Sequence, residues 1–341
     1  MSIKLCKGAN AMRHRILMAV LALLFGVCSS YLAQLGLLFM PLVAAPLAVL
    51  FVLEREGKRI FTVIVPLLML VSDALFNGIY SFSCAAAIIV ALLIYASLAT
   101  GVLSKGDSAV ASVLAVTLVI YVTVVLYGCH LIGKLNPAAS LEYYRGLVVD
   151  LEASWVSAFS EYIAMSEQPS ISAAITEDVM IDLYYGIVHS AYSIVFVFAF
   201  LLVGLTNKLF ARLLYRHVES KGRFLSWRFT LSPAYACVFF ALYVLQLFAD
   251  GYDTFAIVVT NLVNVFTFVF AYIGYMFVDA YFRMKSDGRS GGALIVFVAL
   301  AAFGSTAITV LSLIGAVVSV MMGKNKPGPF EENGGGNLGG S

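Results

Sequence analysis

The chain has 341 residues, 62% of them hydrophobic and only 12% charged, with a formal net charge of +2. Soluble domains are roughly 45–50% apolar and about 25% charged, so a water-soluble fold could not cover this much apolar surface. The near-neutral balance implies no nucleic-acid partner. The apolar residues fall in blocks of about 20, the length that crosses a bilayer core of about 30 Å as a helix. Backbone polar groups in lipid must be satisfied within the segment, which makes such blocks helical. The alternating segments of about ten residues that build a membrane barrel are absent. The expected fold is therefore all-α: a polytopic transmembrane bundle of eight or nine spans, with the lipid bilayer as its first partner.

A basic arm, 1–15, opens the chain with Lys4, Lys7, Arg13 and Arg15. The apolar run behind it continues without a charge from Ile16 to Leu53, too long for a signal-peptide core. It reads as two retained helices, 16–34 and 35–53, turning near Gln34 and Gly36, with Pro41 and Pro46 kinking the second. Further spans are expected at 60–80, 84–103 and 109–133, completing an N-terminal bundle over 16–133. A C-terminal bundle over 186–322 follows, with spans at 186–206, 230–249, 254–281 and 293–322. The last run is long for one span. A single tilted helix and a re-entrant hairpin broken near Gly304-Ser305 both fit it, and the single helix is preferred. The Gly-rich tail, 323–341, is expected to be disordered.

Between the two bundles lies 134–185, which carries two basic residues, Lys134 and Arg145, and eight acids. Asn136-Pro137 is a helix-start pair. Leu141, Tyr144, Val148, Leu151, Trp155, Phe159 and Tyr162 then recur every three or four residues, as on one stripe of an amphipathic helix. Gln168-Pro169 ends it and opens a second helix with Ile171, Ile175, Val179 and Leu183 on one face. The basic residues sort by segment: 17 of the 21 lie in the N-terminal arm and in 54–59, 104–108, 207–229 and 282–292. The positive-inside tendency then places the N-terminus in the cytoplasm of a plasma or inner membrane, and the 134–185 hairpin outside. The loop 207–229 mixes Arg212, Arg216, Arg223 and Arg228 with Trp227 and apolar residues. It suits an anionic leaflet or a docking membrane or cytoplasmic protein.

Catalytic signatures are lacking: no HExxH, P-loop or GxSxG motif occurs. Neither the four histidines nor the cysteines, Cys6, Cys28, Cys84, Cys129 and Cys237, have ligand spacing, so no metal or cofactor is expected and the cysteines read as small buried hydrophobes. What remains are polar side chains inside spans, which are costly in lipid. Asp73 and Asn77 share a helix face at i, i+4. Asn261 and Asn264 open a polar stripe continued by Tyr272, Tyr275 and Asp279. These four, Asp73, Asn77, Asn261 and Asn264, are the candidate ligand-binding residues. Interhelical hydrogen bonding is the alternative role for each.

The layout of a basic arm, a helical hairpin and a long outer amphipathic segment continues into RLLYRHVESKGRFLSWRFTLSPAY and closes on ALAAFGSTAITVLSLIGAVVSVMMGKNK. In this it resembles the YybS-like family of bacterial multi-pass membrane proteins. Relatives usually carry Asp after the late glycine, here Gly315, where this chain has Ala316. The resemblance implies a distant likeness in fold to the substrate-binding subunits of energy-coupling-factor vitamin transporters and to the MreD cell-shape protein. It therefore implies either a small-substrate cavity open to the outside or a scaffold. This chain has more spans than the six of those subunits. Its first helix offers only Ala19 and Ala22 towards their AxxxA contact face.

Overall fold

The computed structural model describes residues 9–32, 35–54, 60–78, 82–100, 102–103, 105–165, 176–215, 231–249, 254–285 and 292–322. Among them there are twelve α-helices and no strand. In chain order these are α1 (Ala9–Tyr31), α2 (Gly36–Leu53), α3 (Ile60–Asn77), α4 (Ser83–Tyr95), α5 (Lys105–Leu131) and α6 (Pro137–Met165). Then follow α7 (Glu177–His189), α8 (Ala191–Tyr215), α9 (Pro233–Gln246), α10 (Thr254–Lys285), α11 (Gly292–Phe303) and α12 (Ser305–Met322). A π-helical turn, Ala96–Thr100, extends α4. Six helices, α1, α2, α3, α5, α8 and α10, are long and apolar enough to cross a membrane; three shorter apolar helices lie at 83–98, 233–246 and 305–321.

α2 is apolar on every side, as a helix enclosed by others must be. It is buried along nearly its whole length and packs against α1, α3, α4 and α8. Around it, α3 and α5 turn most of their residues outwards, which suits helices whose solvent is lipid. Small residues set the close approaches. A Cβ on Gly36 would stand 2.8 Å from the carbonyl oxygen of Ser29, so the α1–α2 contact requires glycine there.

The second half is organised by α10, which packs most extensively on α12 and also touches α8, α9 and α11. Two glycines meet at the α10–α12 crossing. A Cβ on Gly274 would fall 2.0 Å from Leu311 O, and one on Gly315 would fall 1.9 Å from Phe270 O. The pairing of 274 with 311 and of 270 with 315 makes the two helices antiparallel. Close backbone approach of this kind is how helices gain dispersion energy where no hydrophobic effect drives them together.

The segment 293–322, expected as one continuous helix, is instead broken at Gly304. That residue has φ +51°, a conformation open to glycine at little cost. Its N–H still closes on Leu300 O at 2.9 Å, ending α11 before α12 starts. The expected span 186–206 is displaced, because the chain breaks at Ser190 and the helix runs from Ala191 to Tyr215, and α1 starts earlier than expected, at Ala9; α6 begins at Pro137 as its N-cap pair implied. Asn136 Oδ1 accepts the N–H groups of Ala138 (3.1 Å) and Ala139 (3.3 Å). Cys84 and Cys129 are buried as expected, while Cys237 is exposed. The expected turn residue Gln34, the helix start at Gln168-Pro169 with Ile171 and Ile175, the basic loop beyond Tyr215 and the tail lie outside the described residues.

Glycine substitutions separate crossing from non-crossing positions. Gly274→Ala or Gly315→Ala should destabilise the protein by about 1–3 kcal/mol or more, the cost of overpacking. Gly146→Ala and Gly186→Ala, where a Cβ meets nothing within 4 Å, should stabilise by about 0.5–1 kcal/mol. Thermal unfolding in detergent measures both.

Candidate functional site

The expected site residues occupy two separate places. Asp73 and Asn77 stand near the C-terminal end of α3, which packs on α1, α2 and α4. Asn261 and Asn264 stand on α10, among α8, α9, α11 and α12.

The first place is a polar knot where α1, α2, α3 and α4 meet. The residue preceding α4 is Phe82, which cannot cap a helix, and no side chain of its own caps this end. Asp73 reaches across from α3 instead. Its Oδ2 accepts the N–H of Cys84 at 3.3 Å, within the first turn of α4. An anionic side chain at a helix N-terminus satisfies an orphan donor and meets the positive end of the helix dipole. Asp73 Oδ1 accepts from Asn77 Nδ2 at 2.9 Å, and the same amide donates to Ser30 O at 2.7 Å. Ser30 Oγ donates to Gly26 O (3.0 Å) and lies 3.5 Å from Cys84 Sγ. Ser29 Oγ bonds Gly36 O and Ser83 Oγ, both at 3.0 Å. Asp73 is 3% exposed, Ser30 and Cys84 not at all. The carboxylate is thus accommodated by a helix terminus and an amide.

The second place is a clasp at the break between α7 and α8. Asn261 Oδ1 accepts the N–H of Ser193, in the first turn of α8, at 2.9 Å. Its Nδ2 donates to His189 O (2.6 Å), the last residue of α7, and to Ile257 O (2.8 Å). One amide therefore serves the end of one helix and the start of the next, and its donors and acceptor are all engaged. Asn264 is different. Three residues on, it is turned about 60° around the helix from Asn261, and it is exposed with no hydrogen bond among the described residues. Tyr272 packs edge-on against Phe200 at 5.2 Å; Asp279 is buried. Of the expected docking residues, Arg212 is exposed near the end of α8, and Arg216, Arg223, Trp227 and Arg228 lie outside the described residues.

Neither of two cavities lined by described residues touches these four positions. One lies between α1, α2 and α8, the other between α6 and α7. No group of three or more metal-ligating side chains occurs among the described residues.

α6 folds back along α5, where Ser140 Oγ donates to Val125 O (2.7 Å) and Tyr144 OH to Val124 O (2.9 Å). It then meets α7. Trp155, expected against the membrane or the bundle, packs on Phe159 and on Tyr184 of α7, and its Nε1 donates to Met180 O at 3.1 Å. Tyr184 OH donates to Val148 O, and Tyr185 OH to Glu152 Oε2, both at 2.5 Å. The Leu141 and Leu151 side of the expected stripe stays exposed. The aromatic face of α6 thus divides: Tyr144 serves α5, and Trp155 serves α7.

No known family model, curated protein or solved structure matches this chain. The chemistry of its sites therefore rests on the geometry alone.

Asp73→Ala should cost about 1–3 kcal/mol, since it uncaps α4 and strips Asn77 of its partner. Asp73→Asn should cost about 1 kcal/mol, as a neutral amide replaces the anionic cap, and Asn264→Ala less than about 0.5 kcal/mol. Melting of the three variants in one detergent gives the order.

The α6–α7 contact carries a pH signature. The hydrogen bond to Glu152 holds the Tyr185 phenol above its ordinary value near 10, with burial adding to the shift. A group whose folded pKa is raised contributes stability that is complete below the unfolded pKa and is lost as pH rises through the folded one. In a Trp227→Phe background, Trp155 emission should hold steady to about pH 10 and shift above it. Tyr185→Phe should remove that contribution at neutral pH and flatten the transition.

Proposed function

We propose that the chain is a non-catalytic membrane scaffold. The observation behind this reading is the engagement of three of the four candidate polar side chains by the protein's own helices. Asp73, Asn77 and Asn261 spend their hydrogen-bonding groups on helix ends and neighbouring carbonyls. A small-substrate-binding transport component needs such groups facing a ligand, and in this structure those bonds are made to the protein itself. The resemblance to the YybS-like family accommodates a scaffold as readily as a transport role.

In this proposal the chain makes nine passes through a bacterial-type plasma membrane, by α1, α2, α3, α4 with its π turn, α5, α8, α9, α10 and α12. The N-terminus and the basic loops face the cytoplasm. α6 and α7 form the extracytoplasmic element that meets envelope partners, while 207–229 meets cytoplasmic ones. Because α12 runs antiparallel to α10, its end falls on the outer side. This leaves Lys324 and Lys326 as exceptions to a charge bias that the other loops follow.

Single cysteines in a Cys-free background test the topology. Ser154→Cys and Ser341→Cys should react with an impermeant maleimide in intact cells, and Ser220→Cys only after permeabilisation. The reverse pattern overturns the orientation. Copurification from native membranes tests the function: proteins retained by the wild type should be kept by Asp73→Asn wherever that variant folds. A folded Asp73→Asn protein that has lost the binding or uptake of a small solute would overturn the scaffold reading.

A further inference from the structure

One cavity has a composition that none of the preceding roles uses. Between α1, α2 and α8 runs a narrow groove of about 280 Å³. Its walls include Leu21 and Phe25 of α1, Leu42 and Pro46 of α2, and Leu209 of α8, and its one charged lining residue is Arg212. The sequence of α2 explains why space is left there. Pro41, Ala45 and Pro46 line the wall with little side chain. The prolines also lack the N–H groups that would bond Leu37 O and Leu42 O, which weakens and bends a helix. Elsewhere α2 is packed closely by its neighbours.

Arg212 is exposed and makes no ion pair or hydrogen bond among the described residues. Lys208, one turn earlier on the same face of α8, is exposed too, and no acid lines the groove. An apolar slot with an unmatched guanidinium at its edge is complementary to a molecule with a hydrocarbon tail and an anionic head. The guanidinium fork binds phosphate oxygens in pairs, and Arg212 stands near the end of the apolar span Ala191–Leu214, the level at which a membrane helix meets the headgroup layer. A peptide would bring backbone polar groups into a wall that offers them nothing. An acyl chain brings none.

We propose that this groove holds one acyl chain of an anionic glycerophospholipid, with its headgroup phosphate on Arg212. The bound lipid fills the wall that the α2 prolines leave open and ties α1, α2 and α8 together at their lipid-facing side. The inference requires only that the chain sits in a bilayer, and it stands whether the protein is a scaffold or a transporter.

The test uses the full chain in nanodiscs made from equal parts of phosphatidylglycerol and phosphatidylcholine with identical acyl chains. After extraction into mild detergent, native mass spectrometry counts the lipids that remain. The wild type should retain phosphatidylglycerol well above its bulk share. Arg212→Gln should cut that preference about fivefold, the worth of one basic residue at an anionic surface. Leu21→Trp and Leu42→Trp, both at partly exposed wall positions, should fill the groove and abolish retention of either lipid. Lys134→Gln, on the α5–α6 connection, should change nothing. Retention of phosphatidylglycerol by both tryptophan variants would reduce Arg212 to a general interfacial cation and overturn the proposal. So would a wild-type preference in Arg212→Gln, or no retained lipid at all in the wild type. Arg212 has no charged partner among the described residues, so Arg212→Gln carries the test even where a tryptophan variant fails to fold.

Discussion

The start of α4 is a helix end inside an apolar bundle, and it has no cap in its own sequence. Phe82 precedes it, and its first N–H groups have no carbonyl behind them. In water such donors would be hydrated; among α1, α2 and α3 they are not. Asp73 resolves this from another helix, and the resolution works in both directions, because the carboxylate itself needs a positive neighbour in the same surroundings. An uncapped helix terminus and an intramembrane acid are each expensive alone. Brought to 3.3 Å, they relieve each other. Asn77, Ser30 and Ser29 then carry the bonding on to α1 and α2, so the polar groups around one carboxyl link four helices.

Asn261 follows the same rule with a neutral group. The chain breaks between α7 and α8, exposing a terminal carbonyl at His189 and an N–H at Ser193. An amide carries both a donor and an acceptor, so a single Asn on α10 satisfies both sides of the break. An Asp there would lose the bonds to His189 and Ile257, and a Leu would lose all three. The glycine crossing of α10 with α12 completes this half of the molecule by contact alone. Polar fastening thus appears where backbone groups are orphaned, and glycine packing where the backbones are complete.

Much of the fold was legible in the sequence because it depends on one-dimensional quantities. Apolar run length gave the helices, and Asn136-Pro137 gave the first residue of α6. The i, i+4 spacing of Asp73 and Asn77 gave a real hydrogen bond. What escaped depends on partners distant in the chain. Nothing near Asp73 in sequence announces the bare N-terminus of α4 eleven residues later, although a Phe at the position before Ser83 is a signal that an outside cap is needed. Asn261 and Asn264 looked alike as two amides on one stripe, yet one is fully engaged and the other faces outwards, a difference made by where α7 breaks from α8. Trp155 was legible as a packed aromatic, but it is half-buried, and that α7 would cover it was not legible. Gly304 differs from the helical glycines 274 and 315 in its backbone conformation and in the open space where a Cβ would stand, neither of which composition encodes.

These distinctions decide what the polar residues are able to do. A side chain that binds solute must exchange partners: it leaves one set of bonds and takes up another at little net cost. Asn77 donates to both Asp73 and Ser30, and Asp73 answers to both Asn77 and Cys84, so freeing either group strands a donor or an acceptor in a dry interior. The Asn77 amide nitrogen and both Asp73 oxygens are thus already committed to the protein. Arg212 is in the opposite situation, with a full complement of donors and no protein acceptor among the described residues, beside a groove that the prolines of α2 keep open. On the scaffold reading, recognition falls to surfaces such as the α6–α7 pair and the groove beside Arg212, while the engaged interior polar residues hold those surfaces in place.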